Sequence, residues 1–174
     1  MEAREDDANA VRAGRIEVRR SARWFERGAV DAPQLWLVLH GYGQLASAFL
    51  QSCAPLAREG RRLVAPEALS RFYLRSGRGA IGGSWMTAWR WASRARRAPQ
   101  CVVACGGGLP PDLDLDAPAL RALEVVLSAG EHDEAYTPHA AQHDAERLVG
   151  RVARCEVALH AGGHELDLEL LARL

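Results

Sequence analysis

Leu35-Trp36-Leu37-Val38-Leu39 is an unbroken apolar run, and His40-Gly41-Tyr42-Gly43 follows it at once. The run is of strand length and has no polar face to give to water. Such a strand is buried on both sides, as parallel strands in α/β proteins are. Arg62-Leu63-Val64-Ala65-Pro66, Cys101 to Cys105, Leu123 to Leu127 and Cys155 to Leu159 read the same way, as short buried strands. Helical stretches at 44–58, 88–97, 138–149 and 165–174 are interleaved with them. Thr137 before Pro138 is an N-cap ahead of a proline in the favoured first position. Strand alternating with helix predicts a parallel sheet with right-handed crossovers. Two polar-alternating strands, 15–19 and 22–26, precede this region, and 67–87 reads as irregular. Residues 1–14 are polar and expected to be flexible, leaving 15–174 as a single domain.

Charge narrows the partners. Lys+Arg and Asp+Glu both total 22 in 174 residues, giving a formal net charge of zero. A neutral chain supplies no field that would draw it to nucleic acid or an anionic membrane. No apolar run approaches the roughly 20 residues of a membrane span, and the charged start Met1-Glu2-Ala3-Arg4 lacks a signal-peptide core. A cytoplasmic protein is expected. Cys53, Cys101, Cys105 and Cys155 lack CxxC spacing and read as small buried hydrophobes in a reducing compartment.

In open α/β sheets, ligands sit beyond the carboxyl ends of the strands. Three polar clusters fall there: His40-Gly41-Tyr42-Gly43, Glu131-His132-Asp133 and Gly162-Gly163-His164. Their types suit nucleophilic acyl chemistry. A hydroxyl nucleophile needs a histidine base, and the histidine needs a carboxylate to fix its tautomer and steady the imidazolium. A glycine turn lets backbone N–H groups face a developing oxyanion. Asp133 followed by His164 is the second half of the order Ser…Asp…His.

At these residues the sequence resembles the phospholipase/carboxylesterase (thioesterase) branch of the α/β-hydrolase fold, the small serine esterases. The matching stretches are Leu37 to Gln44, Val64 to Glu67 with Ser70-Arg71-Phe72-Tyr73, Gly83 to Thr87, Gly108 to Asp112, Gly130 to Asp133 and Gly162 to Glu165. The resemblance implies a three-layer α/β-hydrolase-like sandwich, a mostly parallel sheet flanked by helices. It implies Asp133 as acid, His164 as base, and the Tyr42 N–H, between Gly41 and Gly43, as oxyanion donor. It also implies a small acyl ester or thioester as substrate, with no cofactor and no metal.

One part is missing. The family's serine lies in a Gly-x-Ser-x-Gly elbow, and none of the eight serines here has glycine at both −2 and +2. The resemblance locates the loss at Thr87/Ala88, where a helix, a strand and the elbow are expected. These amount to roughly 40–50 residues. The implied fold thus lacks the central nucleophile-bearing strand and one helix. To close the gap, 101–105 is expected to pair directly with 35–39, with the helix at 88–97 as crossover.

Two side chains are candidates for a substitute nucleophile. Ser84 precedes Asp133 and His164 in the chain, although the family carries a serine there beside its true nucleophile. Cys105 ends a buried strand before glycines, although no helix N-terminus follows to lower its thiol pKa. The alternative is an inactive remnant or binding protein. His139 and His143, and likewise His160 and His164, are four apart as zinc ligands can be. No glutamate follows His139, and Gly162-Gly163 interrupts the second pair, so exposed histidines are expected. Arg94, Arg96 and Arg97 read as a solvated helix face.

Overall fold

A computed structural model of the chain describes residues 13–17, 19, 21–73, 81–84 and 88–174. Most of the expected 1–14 segment lies outside them. The strands are Trp24–Arg27 (β1), Gln34–Leu37 (β2), Arg61–Pro66 (β3), Ser70–Tyr73 (β4), Ile81–Ser84 (β5), Cys101–Cys105 (β6), Glu124–Gly130 (β7) and Arg154–His160 (β8). The helices are Ala46–Ser52 (α1), Ala88–Arg94 (α2), Pro138–Leu148 (α3) and Leu168–Arg173 (α4). Pro55 follows α1 closely, and the chain tightens there into a short 3-10 turn. Thr137 caps α3 as expected, its side chain accepting from the Ala140 N–H at 3.2 Å.

The parallel character is as predicted, and β7 is its centre. β6, β7 and β8 form one parallel sheet in which β7 is paired on both sides. β1, β3 and β2 form a second sheet, parallel between β2 and β3 and antiparallel between β1 and β3. β4 and β5 form a separate antiparallel ribbon, with Ser70 opposite Ser84.

Several expectations are corrected. The stretch 67–87 contains the β4–β5 ribbon and is not irregular throughout. Arg15 to Glu17 and Arg19 take no regular structure, and Ile16 is exposed. An alternating pattern alone makes no strand without a neighbour to complete its ladder. Pairing of 101–105 with 35–39 is not made: β6 pairs with β7 and β2 with β3. Each half is held by its own helices, α1 on β3 and α3 on β7 and β8, so neither is driven to slide across. The strand at 34–37 is therefore an edge, not a strand covered on both faces. Leu35 is 66% exposed and Leu37 40%, beside Trp24 at 55%. Cys101, expected inside, is exposed.

Two apolar clusters result. One packs Trp89 of α2 and Leu148 of α3 against Val125, Leu127 and Ala129 of β7. The other joins Ala46 and Leu50 of α1, Leu63 and Ala65 of β3, and Leu171 of α4. Val103 and Cys105 of β6 pack against this second cluster beside Trp36 and Val38. Side chains therefore link the two sheets although no ladder does.

Arg61 is almost wholly buried at the start of β3. Its guanidinium lies 3.8 Å from the Trp36 ring centroid. Nε donates to Gln34 Oε1 at 3.2 Å and Nη1 to the Leu171 carbonyl at 3.4 Å, which ties α4 to β3. Nη2 has no partner among the described residues, and burial, with Arg58 nearby, pulls the group below its usual pKa. Replacing a buried charge by an apolar residue of similar length is often neutral. Arg61→Met should therefore stay within about 1 kcal/mol of the parent in urea unfolding, whereas Arg61→Ala should lose about 3 kcal/mol through the space it opens.

Candidate active site

Asp133 and His164 meet across the carboxyl edge of the β6–β7–β8 sheet. Asp133 lies three residues past β7, and its side chain is wholly buried. Oδ1 accepts from the Ala135 and Tyr136 N–H groups at 2.8 and 2.9 Å. Oδ2 accepts from His164 Nδ1 at 2.8 Å. Burial alone would raise this carboxyl pKa, but the Tyr136 and Ala135 amides and His164 together hold it below the ordinary value. A carboxylate on Nδ1 places the remaining lone pair on Nε2, the atom that takes a proton in acyl transfer. The His164 side chain is 59% exposed, so solvent reaches that ring.

The backbone beneath the pair is zipped shut. Glu131 N–H donates to the His160 carbonyl at 2.8 Å, and His132 N–H to the Gly162 carbonyl at 3.0 Å. Gly130 sits under this crossing: a Cβ there would lie 2.2 Å from the Gly163 carbonyl oxygen and 2.4 Å from that of Gly162. Gly106, at φ +63°, closes the third side, where a Cβ would fall 2.9 Å from His164 Cε1. The sequence marks Gly106 as the start of a glycine loop but gives no sign that it walls the imidazole.

Asp144 is a further site residue that sequence reasoning missed. It is buried on α3 and takes Leu109 N–H at 2.8 Å, Tyr136 O–H at 3.2 Å and Arg147 Nη1 at 2.9 Å. Arg147 reaches on to the Leu109 and Pro110 carbonyls. The network fixes the loop that begins at Gly106, and burial with the Asp144 carboxylate pushes the Tyr136 phenol pKa upward. The only signal in the sequence is Asp144 and Arg147 one helical turn apart.

His40-Gly41-Tyr42-Gly43 follows β2, as expected. His40 is buried, and its Nε2 accepts from the Ala68 N–H at 3.1 Å, which leaves Nδ1 to donate to the Gly41 carbonyl at 3.1 Å. Gly41 N–H donates to Gln44 Oε1 at 2.8 Å, and Gly43 takes φ +76°. Tyr42 is exposed. Buried Glu67 braces the turn from behind. It accepts from Ala46 N–H at 3.1 Å, supplying the cap that Leu45 cannot, and from Arg23 at 2.9 Å.

Of the candidate nucleophiles, Cys105 makes no hydrogen bond to His164; among the described residues only Asp133 does so through its side chain. Cys105 ends β6 next to Gly106, half-buried. Burial, then Asp167 and Cys53, push its thiol up to about 11. At neutral pH it is almost entirely protonated, so iodoacetamide at pH 7.5 should leave Cys105 unmodified in the native chain. Labelling detected by peptide mass spectrometry should rise only near pH 10–11. Ser84 closes β5, and its side chain lies outside the described residues.

His139 and His143 lie exposed on α3; Arg94 is the exposed last residue of α2, and Arg96 and Arg97 are at the surface beyond it. Among the described residues, no group of three or more His, Cys, Asp or Glu side chains is placed to hold a metal. No helix there is long and apolar enough to cross a membrane.

No protein-family model and no curated protein matches the chain. Its backbone does match solved structures. Maize acyl-protein thioesterase 2 superposes with a TM-score of 0.68 at 14% identity, over 88% of this chain and 97% of that one. A phospholipase/carboxylesterase from Dyadobacter fermentans gives 0.61 at 16%, over 90% and 97%. The Bacillus cereus carboxylesterase gives 0.59 at 13%, over 87% and 91%. At such identities the likeness establishes architecture alone: the chain has a mixed α/β fold, a parallel sheet flanked by helices, similar to the α/β-hydrolase-like fold of these structures.

Proposed function

We propose that this protein is a hydrolase-type chain built for small acyl esters or thioesters, which keeps the acid and base of a Ser-His-Asp site and lacks the serine. The observation that carries this reading is the 2.8 Å contact between a wholly buried Asp133 carboxylate and the exposed His164 ring. Buried carboxylates hold an imidazole in one tautomer where a proton must be moved. The division of the strands into two three-stranded sheets supports the loss of a central strand between β2 and β6. We read Tyr42, between Gly41 and Gly43, as the oxyanion side of the site, and the substrate as reaching it from solvent without a cofactor.

In this reading His164 Nε2 accepts a proton and Asp133 stabilises the imidazolium, but no attacking oxygen is held beside them. Removing the serine from such a unit costs on the order of 10⁶-fold in kcat. A fluorophosphonate serine probe, read by intact-mass spectrometry beside p-nitrophenyl butyrate turnover, tests this. The expected result is no stoichiometric adduct, with turnover near that of free imidazole. A full adduct on Ser84 would replace this reading with that of a working hydrolase with a substitute nucleophile. His164-dependent alkylation of Cys105 would do the same.

A further inference from the structure

The geometry points to His164 as a nucleophile in its own right. Its Nε2 takes an acyl group directly from activated donors (acyl phosphates, anhydrides and esters of electron-poor phenols) and passes it to water. This goes beyond a ring that only moves a proton, and it rests on the Asp133–His164 contact of the reading above. The Asp133 carboxylate holds Nδ1 at 2.8 Å. A carboxylate accepts, so Nδ1 carries the hydrogen and the Nε2 lone pair is left to attack. Asp133 is itself fixed, because its other oxygen takes the Ala135 and Tyr136 amides at 2.8 and 2.9 Å. Nε2 has no hydrogen-bond partner among the described residues, and the side chain is 59% exposed. Gly106 keeps the approach open: a Cβ there would press on Cε1, next to Nε2, at 2.9 Å, and one at Gly107 meets nothing within 4 Å. In a Ser-His-Asp site the serine hydroxyl donates to Nε2, and the lone pair is used to take its proton. Here no described side chain does so, and histidine is able to form covalent acyl intermediates.

The Nε2 lone pair adds to the acyl carbon, the bond to the leaving oxygen breaks, and that oxygen departs with the electron pair. The product is an acyl-imidazolium, whose charge lies against the Asp133 carboxylate through Nδ1–H. Water then adds to the acyl carbon, and the Nε2–C bond breaks with its electrons returning to nitrogen. The acid leaves as carboxylate, its protons going to solvent. The first step sets the donor class. A tetrahedral adduct expels its less basic group, so imidazole is returned unless the leaving oxygen belongs to a phosphate, a carboxylate or an electron-poor phenol. Alkyl esters fall outside the class. Other histidines lack the arrangement. His40 is buried with both ring nitrogens engaged. His160 Nδ1 accepts from the Gly162 N–H at 3.2 Å, which puts the hydrogen on Nε2. His143 is as open as His164, at 67%, but its Nδ1 stands 4.0 Å from Asp144 Oδ1, beyond hydrogen-bond reach.

Diethyl pyrocarbonate, an anhydride, is the probe, with modified sites in the whole chain read by peptide mass spectrometry at neutral pH. His164 should react first of the six histidines. It should exceed the equally open His143 by at least about fivefold. p-Nitrophenyl butyrate should be cleaved at a rate like that of free imidazole, and no longer once His164 is modified; ethyl butyrate should not be cleaved. The decisive comparison is at residue 133. Asp133→Asn keeps an oxygen on the Ala135 and Tyr136 amides, which turns its NH₂ toward Nδ1. The ring hydrogen then moves to Nε2 and the outward lone pair is lost. Asp133→Ala leaves the ring free to present either nitrogen. His164 should therefore react at least about tenfold more slowly in Asp133→Asn than in Asp133→Ala, although Asp133→Asn is the more stable variant. The proposal is overturned if His164 reacts no faster than His143, or if Asp133→Asn matches or exceeds Asp133→Ala. Failure of the serine-less reading shows separately, as a fluorophosphonate adduct on Ser84.

Discussion

Gly130→Ala should cost this protein about 3 kcal/mol or more, seen as a melting temperature lower by roughly 6–12 °C in a calorimetric scan. The added methyl would meet backbone oxygen, not a side chain that can swing away. Gly163 and Gly162 place their carbonyls 2.2 and 2.4 Å from the new Cβ. Relief requires the 160–164 loop to lift, which breaks the His132 N–H bond to Gly162 and carries His164 away from Asp133. Loss of stability should therefore come with loss of the His164–Asp133 hydrogen bond, visible as loss of the slowly exchanging Nδ1 proton by NMR. Gly107→Ala is the control, because a Cβ there meets nothing within 4 Å. A Gly130→Ala variant that melts with the parent would show that the two loops are not held together as described.

Asp133→Ala should be the next most damaging change, by about 3 kcal/mol at neutral pH. It strands the Ala135 and Tyr136 amides and removes the His164 partner. Asp133→Asn keeps an oxygen for those amides and should cost about 1 kcal/mol. The difference from the parent is pH-dependent, with a definite sign. The folded carboxyl is held below the roughly 3.9 of an unfolded aspartate. Its contribution is therefore complete above that value and is lost as pH falls through the lower folded pKa. Urea unfolding curves of parent and Asp133→Ala should differ fully at pH 6–7 and converge below about pH 4. A constant difference down to pH 3 would mean the carboxylate is not what the site stabilises.

The pairing of Asp133 with His164 was legible in sequence because both belong to short polar clusters directly after apolar strands. Parallel strands bring such ends to one edge whatever their separation in the chain. The cap at Thr137 and the strands read at 62–66, 101–105, 123–127 and 155–159 were legible for a similar reason, since local pattern decides them, although the third runs on to Gly130. Gly106, Gly130, Asp144 and Glu67 were not, since each acts on a segment remote in sequence. A glycine reads as a turn until the loop that crosses it is known. An aspartate on a helix reads as solvated until a loop N–H is placed against it.

By itself the sequence determined an alternation of buried strands and helices, and with it a parallel α/β sheet carrying Asp133 and His164 at its carboxyl edge. Only the tertiary structure decided that, among the described residues, β2 and β6 are each paired on one side alone, and that Leu35 and Leu37 face solvent from an apolar run. Periodicity reports which residues prefer burial. It cannot say whether a neighbouring strand is present to bury them, because that depends on ladders between segments far apart in the chain.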